Sequence, residues 1–183
     1  LRPLGLRLNL LKGSEISQKY EGYRMQDAYS LRCVAQMMGG TKRAIKEAYI
    51  SVTEELNSCS DNPVIYPTGD GDGVALKGGN FDRAYLCIHM DALCIAMTHL
   101  GKLVERRTDR LTNRHFSDYP PFLVKNPGLN SGFMFTQYTS AGLVAEMKVL
   151  SHPVSVDSIP TSANQEDPVS FGFYASRKAC EVA

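Results

Sequence analysis

The chain has 183 residues, 43% of them hydrophobic, and its 20 Lys and Arg against 19 Asp and Glu give a formal net charge of +1 at pH 7. This length suits one domain with a sizeable core. The balanced charge gives no electrostatic reason to expect nucleic acid or an anionic membrane as a partner, so a small solute is favoured.

Cysteine and histidine usage narrows the class further. The five cysteines include no CxxC pair, which is typical of reduced thiols in a cytoplasmic protein. The four histidines lack the spacing of a metal site, and GDGDG at 69–73 lacks the distal glutamate of a calcium loop, so no metal is expected. The apolar run at 84–100 contains His89, Asp91 and His99, which favours a core helix over a membrane span.

The first half of the chain predicts one helix and one hairpin. Residues 1–25 mix apolar residues with glycines and indicate irregular or partly helical structure. Thr41 is a plausible N-cap for a helix whose apolar positions Ala44, Ile45, Ala48, Tyr49, Val52 and Leu56 share one face. Residues 57–80 are rich in glycine around two short apolar pieces, which predicts a loop or small hairpin.

The second half predicts three more helices. One begins at residue 80 or 81 and ends near 111, where the charges of KLVERRTDR can face water. Another covers residues 133–150 and is stopped by Pro153. Asp167 as N-cap with Pro168 at the first position opens the last helix. The predicted fold is therefore all-α, a bundle of long helices.

Both ends suggest a piece of a longer polypeptide. The chain begins at Leu1 without a methionine, and its last helical pattern has no glycine, asparagine or proline to stop it.

The segment QDAYSLRC (26–33) can place a phenol beside a guanidinium. In a helix Tyr29 and Arg32 are three residues apart on one face, with Gln26 one turn back. A guanidinium matches a carboxylate through two parallel hydrogen bonds, so this pair suits an amino acid. The structural alternative is a tyrosine and an arginine in a surface capping turn.

The stretch SIPTSANQEDPV (158–169) is unusually polar for a segment between two apolar helices. Its hydroxyl and amide groups can satisfy a backbone without repetitive structure. If Glu166 is buried there, its carboxylate needs a partner. That partner is either an internal arginine, a structural role, or a cationic or N–H-bearing ligand, a functional role.

Several motifs together resemble one family. QDAYSLRC, SDNPVIY with GGNF (60–66 and 78–81), GLNSGFM (128–134) and SHPVSVDSIPTSANQEDPVS (151–170) are similar in order and spacing to the histidine ammonia-lyase branch of the aromatic amino acid lyases. ERR with DRLTN (105–113) and PPFLV (120–124) are similar too. The resemblance covers nearly all of the chain from residue 26 onward.

The resemblance implies an all-α enzyme, homotetrameric at full length, that removes ammonia from an aromatic amino acid. Members use 4-methylideneimidazol-5-one (MIO), an electrophile formed from an internal Ala-Ser-Gly that is absent from this chain. The family pattern places that triplet ahead of Leu1 and further helices after Ala183. Residues 1–183 are then part of a single lyase helical domain, a central-to-C-terminal fragment that is inactive alone.

The family pattern also implies roles for six residues. Tyr29 is similar to the active-site tyrosine facing the electrophile, and Arg32 to the clamp for the substrate carboxylate. Gln26 corresponds to a supporting polar residue and Phe81 to an aromatic residue near the electrophile. Met134 corresponds to a pocket residue, and Glu166 to the carboxylate that meets the substrate imidazole. In phenylalanine and tyrosine lyases the corresponding stretch resembles NQD, with an amide where this chain has Glu166 of QED. A carboxylate pairs with an imidazole N–H but is left without a partner against a phenyl ring, so the resemblance favours L-histidine, with urocanate as product.

Departures from the family pattern leave two alternatives. NFDR replaces the usual NFHG, EDPVSFG replaces EDHVSMG, and Ala35 stands where proline is common. Another aromatic amino acid lyase, or a 2,3-aminomutase using the same electrophile, is the alternative within enzymes. A non-catalytic assembly module is the alternative of another class, since active sites of the family combine residues from several subunits.

Overall fold

A computed structural model describes residues 11–183. Of the segment 1–25, expected to be irregular or partly helical, residues 1–10 lie outside the described residues. The helices are α1 (Glu15–Lys19), α2 (Tyr29–Arg32), α3 (Val34–Leu56), α4 (Ala84–Thr112), α5 (Arg114–Ser117), α6 (Met134–Leu150) and α7 (Gly172–Val182). The antiparallel strands β1 (Val64–Pro67) and β2 (Gly73–Leu76) form the predicted hairpin. The predicted all-α class is confirmed, as are the predicted helices that correspond to α4 and α6.

Helix α4 is the centre of the bundle, because α3, α6 and α7 all pack against it. Its buried face supplies much of the core, which also contains residues from α3, the 151–157 loop and α7: Leu86, Cys87, Met90, Cys94, Ala48, Val154, Ala175, Ala179 and Val182. Leu103, 2% exposed, extends the buried face toward the C-terminal end of α4. The three helices around α4 therefore help to fix the positions of the segments that carry the predicted site residues.

By length and composition, α4 is the one helix of the described part of the chain that could cross a membrane, because an 18-residue window within it has a mean hydropathy of 1.2. It also buries Asp91, Thr98 and Glu105, which hydrogen-bond Ser155 of the 151–157 loop and Met147 and Gln137 of α6, respectively. Polar groups held in protein contacts are typical of a helix in the core of a bundle, and they favour that interpretation.

Helix α3 differs from the prediction in its start and in its buried face. It begins at Val34, so Thr41 is not an N-cap but an interior residue whose hydroxyl donates to the Met37 carbonyl at 3.2 Å. Of the predicted apolar face only Ala48 is fully buried, while Tyr49 is 72% exposed. The buried residues of α3 are Val34 and three small ones, Thr41, Ala48 and Ser51. Small residues let the two helices approach closely, and that requirement outweighs hydrophobicity here.

The predicted start of the last helix at Asp167 is wrong, because α7 begins at Gly172. Tertiary hydrogen bonds hold the preceding residues out of a helix. The Val169 N–H donates to Ser158 Oγ at 2.7 Å, and Ser170 Oγ accepts from the Arg83 N–H at 2.9 Å. These contacts outweigh the capping signal of Asp167 and Pro168, and a sequence pattern does not reveal them.

Candidate functional site

Tyr29 and Arg32 lie together on α2, as their spacing predicts. The Arg32 Cζ atom is 5.0 Å from the centroid of the Tyr29 ring, within the range of a cation–π contact. Tyr29 is 68% exposed, and Arg32 is also exposed. Gln26 is exposed as well and precedes α2. The phenol and the guanidinium thus form a preformed pair that is open to a ligand from solvent.

Helix α2 is too short to hold itself in place, and an arginine of α4 anchors it. Arg107 Nε donates to the Ser30 carbonyl at 2.9 Å, in the first turn of α2. Isolated helices of this length are unstable in water, so the tertiary contact determines where Tyr29 and Arg32 point. Sequence reasoning missed Arg107, because it lies in a charged run that was expected to face water.

The neighbouring Glu105 also contradicts that expectation, since it is 7% exposed. Its carboxylate accepts two hydrogen bonds from Arg106 at 2.5 Å each and one from Gln137 Nε2 at 2.9 Å. The hydrogen bonds from Arg106, followed by that from Gln137, hold the pKa of Glu105 below its ordinary value despite burial. The ERR segment therefore ties α4 to α6 and to α2.

The polar stretch 158–169 is not in the interior of this chain, because residues 156–168 are all exposed. It closes on itself through an antiparallel bridge between Thr161 and Glu166, with the Thr161 N–H donating to the Glu166 carbonyl at 2.9 Å. Between them Ser162, Ala163 and Asn164 have φ of 52°, 55° and 67°. Such left-handed backbone is uncommon outside glycine and persists only where surrounding contacts hold it.

Glu166 is presented by this closed loop with one oxygen occupied. Glu166 Oε2 accepts hydrogen bonds from the hydroxyls of Thr161 and Ser162, both at 2.7 Å. These bonds, Ser162 first, lower the pKa of Glu166, so the carboxylate is ionised at neutral pH. Glu166 is exposed, so the burial on which both alternative partners depended is not seen in this chain, and among residues 11–183 no arginine pairs with it. The Oε1 atom has no hydrogen bond within the same residues and can accept one from a ligand.

Phe81 and Met134 occupy two further positions. Phe81 is 46% exposed in the turn before α4, and its carbonyl accepts a hydrogen bond from Arg83 at 2.8 Å. Met134 is half-buried at the start of α6 and lines a cleft of about 360 Å³ with Gln137 and Tyr138. None of the other five predicted site residues lines that cleft. The structure thus pairs Tyr29 with Arg32, and among the described residues no hydrogen bond joins this pair to Phe81 or Glu166.

The residues present leave room for the electrophile implied by the resemblance. The chain has no Ala-Ser-Gly from which to form MIO. Tyr29 and Phe81, the residues expected to face that group, both expose their rings to solvent. This fits a group that another part of a longer polypeptide contributes.

Comparison with known proteins gives a consistent picture. The family model described as aromatic amino acid lyase matches residues 7–183. The histidine ammonia-lyase of Caldanaerobacter subterraneus subsp. tengcongensis is 49% identical over 94% of this chain and 34% of its own length. The chain therefore spans about a third of the length of the curated relatives it matches.

Solved structures show the same likeness. The histidine ammonia-lyase from Trypanosoma cruzi is 48% identical, with a TM-score of 0.77 over 86% of this chain and 30% of that one. Tyrosine aminomutase from Streptomyces globisporus is 35% identical, also with a TM-score of 0.77, over 92% of this chain and 33% of that one.

Proposed function

The chain belongs to the aromatic amino acid lyase family, and from that premise we propose that the full-length protein eliminates ammonia from L-histidine to give urocanate. Its similarity to histidine ammonia-lyases at 49% and 48% identity supports this substrate. Family members use MIO, and in our proposal a part of the polypeptide outside these residues forms it. When bound, that group supplies the electron sink that the elimination needs.

The Tyr29–Arg32 pair is proposed to bind and orient the amino acid. The Arg32 guanidinium receives the substrate carboxylate through two hydrogen bonds, and its contact with the Tyr29 ring limits the conformations it must lose on binding. The Tyr29 phenol then lies beside the bound substrate, where a hydroxyl can exchange a proton at a carbon that is hardly acidic. Positioning of this kind accounts for a large share of enzymatic rate enhancement.

Glu166 is proposed to determine which substrate side chain is accepted. The ionisation and hydrogen bonding of its carboxylate are the observation that carries the proposal. The carboxylate is ionised, held by two hydroxyls, and has one oxygen available. An imidazole N–H satisfies that oxygen, whereas a phenyl ring leaves it without a partner. The arrangement therefore favours histidine over phenylalanine.

The remaining parts of the site and the assembly follow from the same premise. Phe81 and Met134 are proposed as walls near the electrophile and the substrate side chain, with Gln26 supporting the site. Exposed apolar side chains such as Tyr49, Leu56 and Phe135, each more than half exposed, suit contacts with further helices. We propose a cytoplasmic homotetramer in which residues 1–183 are part of one lyase helical domain.

An aminomutase is the second candidate, favoured by the equal TM-score of the tyrosine aminomutase structure. An aminomutase returns the ammonia to the β-carbon, so its product is a β-amino acid. If the protein is instead a non-catalytic assembly module, its full-length chain will lack Ala-Ser-Gly and will release no ammonia from any aromatic amino acid.

The test is the full-length protein with L-histidine, followed by the near-ultraviolet absorbance of urocanate. Glu166→Gln removes the charge and should lower kcat/KM for histidine by about 10- to 100-fold, the effect of losing a charge-assisted hydrogen bond. Glu181→Gln is the matched control, because Glu181 is an exposed glutamate paired with Arg177 at 2.9 Å, and it should leave kcat/KM unchanged. Equal activity of both variants, or a β-amino acid product, contradicts the proposal.

A further inference from the structure

Arg83 connects two of the segments that carry proposed site residues. Its NH1 group donates to the Phe81 carbonyl at 2.8 Å, in the turn that presents the Phe81 ring. Its backbone N–H donates to Ser170 Oγ at 2.9 Å. Ser170 follows Glu166 by four residues in the segment that leads into α7.

The rest of the guanidinium is held from other directions. NH2 donates to Ser60 Oγ at 3.1 Å in the loop before the hairpin. Nε lies 2.6 Å from Glu55 Oε1 of α3, an ion pair in which the N–H is not aligned for a hydrogen bond. The Arg83 side chain is 17% exposed and that of Glu55 is 15% exposed. A partly desolvated guanidinium with partners on three segments has little freedom left.

Packing against α7 closes the arrangement. Arg83 Cζ lies 4.5 Å from the centroid of the Phe173 ring. A Cβ atom placed on Gly172 would lie 2.6 Å from Arg83 Cβ, so the start of α7 fits against Arg83 without room for a methyl group. Arg83 therefore fixes the distance between the turn before α4 and the start of α7.

We infer that Arg83 is a positioning residue that holds the Phe81 turn and the Glu166 segment in a fixed relation. The inference rests on the proposed function for the roles of Phe81 and Glu166, and on the contacts above for the coupling. Arg83 acts through other residues and does not itself touch the substrate. Misplacing one wall of a site by about 1 Å costs up to roughly 100-fold in rate, so a restraint of this kind is felt in catalysis.

The experiment compares Arg83→Ala with Arg177→Ala in the full-length protein. Arg177 is also paired with a glutamate, but its side chain is 75% exposed and it lies on the outer face of α7. Arg83→Ala should raise KM for L-histidine by about 5- to 20-fold, because the substrate side chain meets displaced walls. Arg83→Lys keeps the charge opposite Glu55 and should recover part of that loss, while Arg177→Ala should leave KM unchanged.

Two readouts separate positioning from lost stability. A merely destabilised enzyme has fewer active molecules, which lowers apparent kcat and leaves KM alone. Amide hydrogen exchange measured on peptides covering 79–83 and 170–176, which include the Phe81 turn and the start of α7 that the Arg83 side chain contacts, should rise in Arg83→Ala and stay at the parent level in Arg177→Ala. KM within twofold of the parent, with unchanged exchange over 79–83 and 170–176, overturns the inference.

The same data also distinguish the two proposals from each other. If the parent protein forms neither urocanate nor ammonia from histidine, the proposed function fails whatever Arg83 does. Hydrogen exchange then decides alone: increased exchange over 79–83 and 170–176 in Arg83→Ala supports the coupling, and unchanged exchange refutes it.

Discussion

Gly172→Ala tests whether the contact between α7 and Arg83 is as tight as the geometry indicates. Gly172 is buried at the first position of α7. A Cβ atom there would lie 2.6 Å from Arg83 Cβ and 3.1 Å from the Arg83 carbonyl oxygen. Neither atom is the end of a flexible side chain, so relief requires the backbone of α4 or α7 to move.

The expected loss of stability follows from two opposing effects. Forcing an extra methyl group into a packed contact typically destabilises by about 1–3 kcal/mol. Alanine favours a helix over glycine by up to about 1 kcal/mol, although less at a helix end. The net change is a loss of roughly 1–2 kcal/mol, which lowers the Tm of a chain of this size by about 2–8 °C.

Gly142→Ala is the matched control for the measurement by thermal unfolding. Gly142 lies inside α6 with no heavy atom within 4 Å of the added Cβ, so only the helix preference acts. Its Tm should rise by about 1–4 °C. If Gly172→Ala is as stable as Gly142→Ala, the close packing of α7 on Arg83 is refuted, together with part of the argument for Arg83.

Two further predictions concern ionisation. The pKa of Glu105 is lowered in the folded chain, so its carboxylate stabilises the fold fully above pH 4.5, the ordinary pKa of a glutamate. This contribution is lost as the pH falls through the pKa of the folded state. Urea unfolding should therefore show Glu105→Gln less stable than the parent at pH 7 and equal to it well below pH 4.5; a constant difference across this range contradicts the assignment. Burial raises the pKa of Cys87 and Cys94, so a disulfide reagent at neutral pH should label exposed Cys59 and Cys180 first and the buried pair only after unfolding.

Much of the helical framework could be predicted because α4 and α6 carry strong signals. Long apolar runs between proline-rich connections identify both helices to within a few residues. The buried face of α3 could not be predicted in the same way. Its contact with α4 depends on small and polar residues such as Thr41 and Ser51, and Ser51 Oγ lies 2.5 Å from His89 Nδ1 across the two helices. Hydrophobic periodicity gives no weight to such residues.

The contact between Tyr29 and Arg32 could be predicted because one short segment carries both side chains. The contacts that hold the candidate site in place could not be predicted, because they join segments that are distant along the chain. The spacing of Tyr29 and Arg32 indicates their contact directly. The anchoring arginines Arg83 and Arg107 cannot be recognised from local spacing, because Arg83 bonds Ser60 and Ser170, 23 and 87 residues away, and Arg107 bonds Ser30, 77 residues away. A charged residue at a helix end looks solvent-facing until the segment it binds is known.

The exposure of the site residues is itself informative about the proposed chemistry. Tyr29 is 68% exposed, Phe81 is 46% exposed and Glu166 is also exposed, whereas the closing of an active site expels water from around the reacting atoms. The loops that carry these residues are nevertheless held by specific contacts, from Arg107 at α2 to the two hydroxyls at Glu166. Surfaces that are ordered but open suit the assembly proposed above, in which residues outside this chain would cover the site. A site complete within these residues would instead bury Glu166 beside Arg32.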